Sequence, residues 1–98
     1  MNVRLVPRAR AEVERAIAWW RSNRDVPALL EEEFAAALAL LALSPNVGVP
    51  ASRAERSMVR RMYLPKSRYH LYYRVRENLD LVDVLRFWHA NRGRSPRF

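Results

Sequence analysis

The stretch Tyr69-His70-Leu71-Tyr72-Tyr73-Arg74-Val75 decides the fold because it alternates two kinds of residue. The odd-numbered positions are aromatic or aliphatic, whereas the even-numbered positions include a histidine and an arginine. A period of two is typical of a β-strand that has one face on a core and the other towards solvent. The stretch therefore predicts a half-buried strand over residues 69–75.

Two neighbouring segments predict strands that pair with this one. Residues 57–64 contain valine, methionine and tyrosine, and residues 79–87 form the most apolar segment of this half of the chain. We expect residues 79–87 to be the central strand and residues 76–78 to form the hairpin turn before it. The second half of the chain therefore predicts three consecutive antiparallel strands.

The first half predicts a short edge strand and two helices. Residues 2–6 alternate before Pro7, which suits the first turn of a helix because an N–H has no partner there. Apolar residues recur at helical spacing to about Asn23, and again from Pro27 to Ser44 after a four-residue turn. The two apolar stripes are Ala9, Val13, Ala16, Ile17 and Trp20, and Leu30, Phe34, Ala37, Leu38 and Leu41.

The remaining segments complete the predicted architecture. Residues 46–56 lack periodicity and are expected to be a loop, and residues 88–98 are expected to be a basic tail. The predicted order is β-α-α-β-β-β in one α+β domain, residues 1–98. The helical hairpin should cover one face of a small, mainly antiparallel sheet, because each has one apolar face to bury. The other face of the sheet keeps the arginines.

The charge of the chain is concentrated in its second half. Residues 1–49 carry six arginines and six acidic residues, whereas residues 50–98 carry eleven arginines and one lysine against four acidic residues. The net charge of +8 therefore belongs to residues 50–98, which favours a nucleic acid or an acidic protein surface as partner. With no apolar stretch long enough for a membrane span and no N-terminal secretory signal, we expect a cytoplasmic protein and no membrane partner.

The sequence offers few groups for catalysis. There is no cysteine, the two histidines are nineteen residues apart, and neither glycine belongs to a phosphate-binding loop, so no metal and no cofactor is expected. One reaction stays open, namely cleavage of RNA by its own 2′-hydroxyl, which needs an acid, a base and cations around the phosphate. His70, His89, Tyr63 and the arginines are the only groups that could supply these.

Three segments of the second half resemble the RelE/ParE superfamily of bacterial toxins. They are Val59-Arg60-Arg61-Met62-Tyr63-Leu64, Ser67-Arg68-Tyr69-His70-Leu71-Tyr72-Tyr73-Arg74-Val75, and Val82-Asp83-Val84-Leu85-Arg86-Phe87-Trp88-His89-Ala90-Asn91-Arg92. The start of the chain resembles the superfamily as well, with Pro7-Arg8-Ala9 leading into a helix and a second helix that ends at Ser44-Pro45. The resemblance covers nearly the whole chain, and the element order predicted from the residues agrees with it.

The resemblance implies the toxin of a type II toxin–antitoxin pair. Its partner would be a small acidic antitoxin, ParD-like or similar, that neutralises the toxin in a hetero-oligomer. Two activities divide the superfamily: ParE-like members poison DNA gyrase, whereas RelE-like members cut mRNA on the ribosome.

Comparison of individual positions favours the ParE-like branch. RelE-like nucleases carry functional residues at places that here hold Arg61 and Tyr63, His70, Arg92 and Phe98. Arg61 and Arg92 match, whereas the other three depart, and a phenylalanine at position 98 has no hydroxyl to transfer a proton. The run from Trp88 to Arg92 is similar to the segment that closes the last strand in ParE-like toxins. No catalytic residue is then expected.

Two alternatives remain beside gyrase inhibition. A ribosome-dependent, metal-independent endoribonuclease would use His70, Arg61 and Arg92. A non-toxic, basic nucleic-acid-binding module is the other alternative. For contacts with target or antitoxin, we expect the set Arg61, Arg74, His89, Arg92, Arg94, Arg97 and Trp19. Several of them also have a structural interpretation: Trp19 could pack on the second helix, His89 could cap the last strand, and the arginines of residues 92–97 could belong to a solvated tail.

Overall fold

The computed structural model describes residues 1–51 and 58–98, which fold into two helices and a five-stranded sheet. The helices are α1 (Pro7–Asn23) and α2 (Leu29–Leu43). The strands are β1 (Asn2–Leu5), β2 (Val49–Pro50), β3 (Val59–Leu64), β4 (Tyr69–Arg76) and β5 (Leu81–His89). Short 3₁₀ turns follow β4 at Glu77–Leu79 and β5 at Ala90–Arg92. The predicted α+β class, with a helical hairpin on a mainly antiparallel sheet, is confirmed.

The strand order across the sheet is β1-β5-β4-β3-β2. Strands β2 to β5 are antiparallel neighbours, whereas β1 lies parallel to β5. The last strand was predicted to be central, but the middle position belongs to β4. The reason is that β1 pairs with β5 on one side of the sheet, and β2, from the loop after α2, pairs with β3 on the other. Both of these strands are short, so the long inner strands β4 and β5 carry most of the sheet.

Several boundaries differ from the prediction. Pro27 lies in the turn before α2, and the helix begins at Leu29. β5 ends at His89, so Trp88 and His89 belong to the sheet and not to a tail. The two residues of β2 lie inside the predicted loop, where a valine and a proline give too short a pattern to indicate a strand. The predicted strand start at Ser57 and the end of that loop lie outside the described residues.

The helical hairpin covers one face of the sheet and forms the main core there. The odd-numbered residues of β4 face this core, as predicted: Leu71 and Tyr73 are fully buried, and Tyr69 and Val75 pack at its margin. The core members from the helices match the two predicted stripes, apart from Ile17 and Leu38 at its edge. They are Ala9, Val13, Ala16, Trp20, Leu30, Phe34, Ala37 and Leu41. No helix in the described part of the chain is long and apolar enough to span a membrane.

The opposite face of the sheet carries a second, smaller cluster. Tyr72 and Trp88 are buried there together with Ala51 and Val59. This face was expected simply to keep the arginines, but the C-terminal segment, residues 93–98, folds back and covers part of it. Gly93 permits the reversal because its φ of 74° lies in the left-handed region that favours glycine.

Candidate functional site

A cleft of about 230 Å³ lies on the sheet face away from the helices. Its lining includes Arg61, His70, Tyr72, Trp88 and Arg94, and we call it the open-face cleft. Arg61 pairs with Tyr72 across β3 and β4, and His70 pairs with Trp88 across β4 and β5. Directly paired residues project on the same side of a sheet, so the register of three strands gathers these side chains.

The C-terminal segment forms one wall of this cleft. The Trp88 indole N–H donates to the carbonyl of Arg94 at 2.9 Å, and Arg86 Nη1 donates to the carbonyl of Arg97 at 2.6 Å. The Phe98 ring lies 5.2 Å from that of Tyr72, centre to centre. A flexible tail was one interpretation of these residues, and these contacts correct it, because the segment is tied to the sheet by its backbone.

Arginine side chains surround the Trp88 ring. The guanidinium carbons of Arg92, Arg86 and Arg94 lie 4.0, 4.7 and 5.8 Å from its centre. A guanidinium stacked on an indole is held in place by the ring quadrupole and keeps its edge N–H groups for other partners. The guanidinium groups beside the cleft therefore present hydrogen-bond donors in fixed positions.

His70 lies on the floor of this arrangement. Burial, then the positive charges of Arg61 and His89, lower the pKa of His70 below its ordinary value of 6.5. Its Nδ1 atom is buried without a hydrogen-bond partner among the described residues, and its ring lies 5.1 Å from the half-exposed ring of Tyr63. The neutral imidazole is thus the favoured form near pH 7.

A second group of cations gathers where β5 ends. Arg24, Arg68 and Arg92 come from the turn after α1, the β3–β4 turn and the 3₁₀ turn after β5, and we call them, with His89, the His89 cluster. Burial, followed by the charges of these three arginines, lowers the pKa of His89. The backbone N–H of Ala90 donates to the Arg68 carbonyl at 2.9 Å, which joins two of these turns directly.

The turn that presents Arg68 is held from the helical layer. One carboxylate of α2, that of Glu33, accepts the backbone N–H groups of Lys66 and Ser67 at 2.7 and 2.9 Å and the Ser67 hydroxyl at 2.6 Å. Arg68 itself has a φ of 65°, uncommon for a residue with a side chain. The fold therefore imposes the direction in which Arg68 leaves the turn.

Acidic side chains form their ion pairs elsewhere in the described part of the chain. Asp83 binds Arg4 and Arg76, Glu31 binds Arg21, and Glu12 binds Arg86. The arginines of the His89 cluster and of the open-face cleft pair with no carboxylate of the described residues. Net positive charge is thus concentrated on one end and one face of the domain.

The structure brings together five of the predicted site residues and separates three. Arg61, His70 and Arg94 line the cleft. His89 lines it as well and also belongs to the His89 cluster, and Arg92 of that cluster stacks on Trp88. The three that lie apart are Arg74, which pairs in register with Asp83 away from the cleft, Arg97, which contributes its carbonyl, and Trp19, on the helical hairpin.

Trp19 does not pack under α2. It is 49% exposed, and its ring lies 5.0 Å from the guanidinium carbon of Arg24, which also lies 5.3 Å from the ring of buried Trp20. Arg24 and Arg68 were absent from the predicted site. Both lie in turns distant in sequence from the last strand, and only the tertiary fold places them beside His89.

The arrangement offers charge and planar surfaces. Guanidinium groups supply paired donors that match the oxygens of phosphates and carboxylates, and half-exposed Tyr63 supplies a stacking surface. Phe98, on the ring of Tyr72, brings no proton to the cleft. Within residues 1–51 and 58–98, no three His, Cys, Asp or Glu side chains lie together as metal ligands would.

The comparisons with known proteins agree with this fold. The family model described as the ParE toxin of the type II toxin–antitoxin system, parDE, matches residues 3–93. One similar solved structure is described as the chromosomal ParDE TA system from P. aeruginosa. It has a TM-score of 0.71 and 16% identity, and the match covers 93% of this chain and 97% of that chain. No curated protein sequence matches the chain significantly. The resemblance to the ParE-like branch is confirmed, and the chain belongs to the ParE toxin family of type II toxin–antitoxin systems.

Proposed function

We propose that the protein inhibits DNA gyrase as a ParE-like toxin and that a small acidic antitoxin of the ParD kind neutralises it. The observation that carries this proposal is the match of the ParE toxin model to residues 3–93, nearly the whole chain. Departures from the nuclease pattern at Tyr63, His70 and Phe98 support gyrase over the ribosome as target.

Charge supports an acidic partner. The net charge is +8, and the arginines of the open-face cleft and the His89 cluster lack carboxylate partners within the described residues. An acidic segment laid over this face would satisfy those guanidinium groups and block access to them. Association should then be fast at low salt and slower at high salt.

Pulse labelling of cells in which the chain is induced tests the target. Poisoned gyrase should stop thymidine incorporation before methionine incorporation, because replication forks depend on gyrase continuously. Ribosomal mRNA cutting would stop methionine incorporation first, which would contradict the proposal and favour the nuclease alternative. Induction without any growth defect, with folded protein present, would contradict both and leave the non-toxic binding module.

The antitoxin partner is tested separately. A reading frame for a small acidic protein should adjoin that of this chain, and its product should copurify with the chain and restore growth. Absence of such a frame, or a product that restores growth without binding, would contradict the antitoxin part of the proposal alone.

A further inference from the structure

The His89 cluster gathers like charges from separate parts of the chain. The turns of Arg68 and Arg92 meet beside His89 through the bond from the Ala90 N–H to the Arg68 carbonyl, and Arg24 is near enough for its charge to act on the same imidazole. None of the three pairs with a carboxylate of the described residues. Convergence of cations costs electrostatic free energy in the free protein, and a bound anion would relieve that cost. The cluster thus has the composition of an anion site.

The cations are also held in place. Arg24 lies over the rings of Trp19 and Trp20, and Arg92 lies 4.0 Å from the centre of the Trp88 ring. Arg68 leaves a turn whose backbone is fixed by Glu33. Donors held in this way lose less conformational entropy when they bind, so they favour a specific ligand over diffuse attraction.

The imidazole adds a donor of its own. His89 Nδ1 accepts the backbone N–H of Asn91 at 3.1 Å, so the proton of the neutral ring is assigned to Nε2. Nε2 has no partner among the described residues. Guanidinium and imidazole donors that arrive from three turns suit a tetrahedral oxyanion, whose oxygens point in several directions, better than a planar carboxylate with two oxygens.

We propose that the His89 cluster binds a backbone phosphate of duplex DNA. The open-face cleft, which His89 also lines, continues the row of cations with Arg61 and Arg94, as an extended polyanion requires. This inference deepens the proposed function and rests on it for the origin of the DNA, namely the segment that gyrase holds. The toxin would then contact DNA as well as the enzyme.

The test is binding of purified toxin to a short fluorescent DNA duplex, without gyrase, followed by anisotropy over a series of salt concentrations. The variant R68Q/R92Q removes two charges from the cluster, and R10Q/R15Q is its charge-matched control. Arg10 and Arg15 are exposed on α1 and form no ion pair with a described residue. Thermal unfolding confirms that each variant is folded, and the single variant R24Q removes the third arginine independently.

We expect R68Q/R92Q to weaken DNA binding about tenfold or more and to reduce the slope of log affinity against log salt by about one, since one phosphate contact is lost. R24Q should weaken binding by a smaller factor. R10Q/R15Q should stay within about threefold of the parent, because salt screens the attraction between distant charges more than that between an arginine and a phosphate in direct contact. Equal losses in the two double variants would overturn the inference, because net charge alone would explain the binding.

Competitors identify the source of the phosphate. Unlabelled duplex should displace the probe, whereas polyglutamate of equal charge, inorganic phosphate and ATP should do so far less well. Displacement by polyglutamate as effective as by DNA would overturn the choice of phosphate, and effective displacement by ATP would assign the site to a free nucleotide. Tighter binding of single-stranded RNA than of duplex DNA would overturn the choice of DNA.

The two proposals can fail separately. A toxin that binds DNA through the His89 cluster but leaves gyrase unaffected contradicts the proposed function only. A toxin that poisons gyrase but has no affinity for DNA above that of R68Q/R92Q contradicts this inference only.

Discussion

The carboxylate of Glu12 in α1 accepts the backbone N–H of Phe87 in β5 at 3.0 Å. β1 pairs with β5 only as far as Val84, so no strand among residues 1–51 and 58–98 neighbours that edge of β5 beyond this point. Glu12 takes the place of that strand and also binds the Arg86 guanidinium, at 2.7 Å from Nη2. One buried carboxylate thus closes a sheet edge and anchors the arginine that holds the C-terminal segment.

Loss of this carboxylate should destabilise the fold strongly. Glu12→Ala leaves the charge of Arg86 and the N–H of Phe87 without a buried partner, and we expect a loss of about 3–5 kcal/mol in the free energy of unfolding. Glu12→Gln keeps an acceptor of similar shape, so it should lose about 1–3 kcal/mol. Urea denaturation measures both. A loss below about 1 kcal/mol in Glu12→Ala would contradict the role given to this residue.

Gly48 should not tolerate a side chain. A Cβ at this position would lie 2.6 Å from the Tyr73 hydroxyl and 2.8 Å from the carbonyl oxygen of Arg61. We expect Gly48→Ala to lose about 1–3 kcal/mol, since a backbone oxygen must move. Tyr73→Phe should lose a similar amount, about 1–3 kcal/mol, because the Gly48 N–H loses its acceptor.

The double variant G48A/Y73F provides a check on this contact. One of the three close contacts of the added Cβ disappears with the hydroxyl, so the combined loss should be smaller than the sum of the single losses. Additive losses in thermal or urea unfolding would show that the two positions act independently.

The C-terminal segment should stabilise the sheet through its backbone. Deletion of residues 96–98 removes the carbonyl that accepts from Arg86 and the Phe98 ring beside Tyr72, so we expect a loss of about 1–3 kcal/mol. Arg97→Ala keeps that carbonyl and should change stability by less than about 0.5 kcal/mol. The reverse ranking in urea unfolding would show that the side chain of Arg97 matters and its backbone does not.

Both histidines should titrate below the ordinary value of 6.5. Burial is the largest cause for each, and neighbouring arginines add to it. A histidine whose pKa is lower in the folded state than in the unfolded state favours folding above the unfolded pKa. That contribution is lost as the pH falls from about 6.5 towards the folded pKa.

NMR titration of the imidazole protons measures these values directly, and unfolding at pH 7.5 and pH 5.5 should show lower stability at the acidic pH. The variant H70Q/H89Q should lose the part of this pH dependence that the histidines cause. Folded-state values at or above 6.5 would contradict the environment described for them.

Periodicity predicted the long elements well. α1 begins at Pro7 and ends at Asn23 as expected, and β4 covers Tyr69–Arg76 with the predicted faces, because each buries a stripe along one side. The sheet order depends on contacts between residues far apart, such as those of β1 with β5, which no local pattern contains. The irregularity in the register between Tyr72 and Tyr73 also has no signal in the sequence.

The sequence predicted the part of the candidate site that lies on the last strands. The excess of arginine in the second half, and the residues from Trp88 to Arg92, indicated the cationic end of the sheet. Arg24 and Glu33 act on that end from the other half of the chain, where charges balance and no pattern distinguishes them. In the sequence, buried Glu12 looks like an ordinary solvent-exposed charge of a helix, because its partners Arg86 and Phe87 lie far along the chain in β5.

Cleavage of supercoiled plasmid by gyrase measures the central claim most directly. Purified toxin is incubated with gyrase, ATP and plasmid, the reaction is stopped with detergent and protease, and linear DNA is quantified against gyrase alone. The account predicts linear DNA that rises with toxin concentration and disappears when the cognate antitoxin is added. Unimpaired supercoiling and no linear DNA, with toxin shown to be folded, would contradict it.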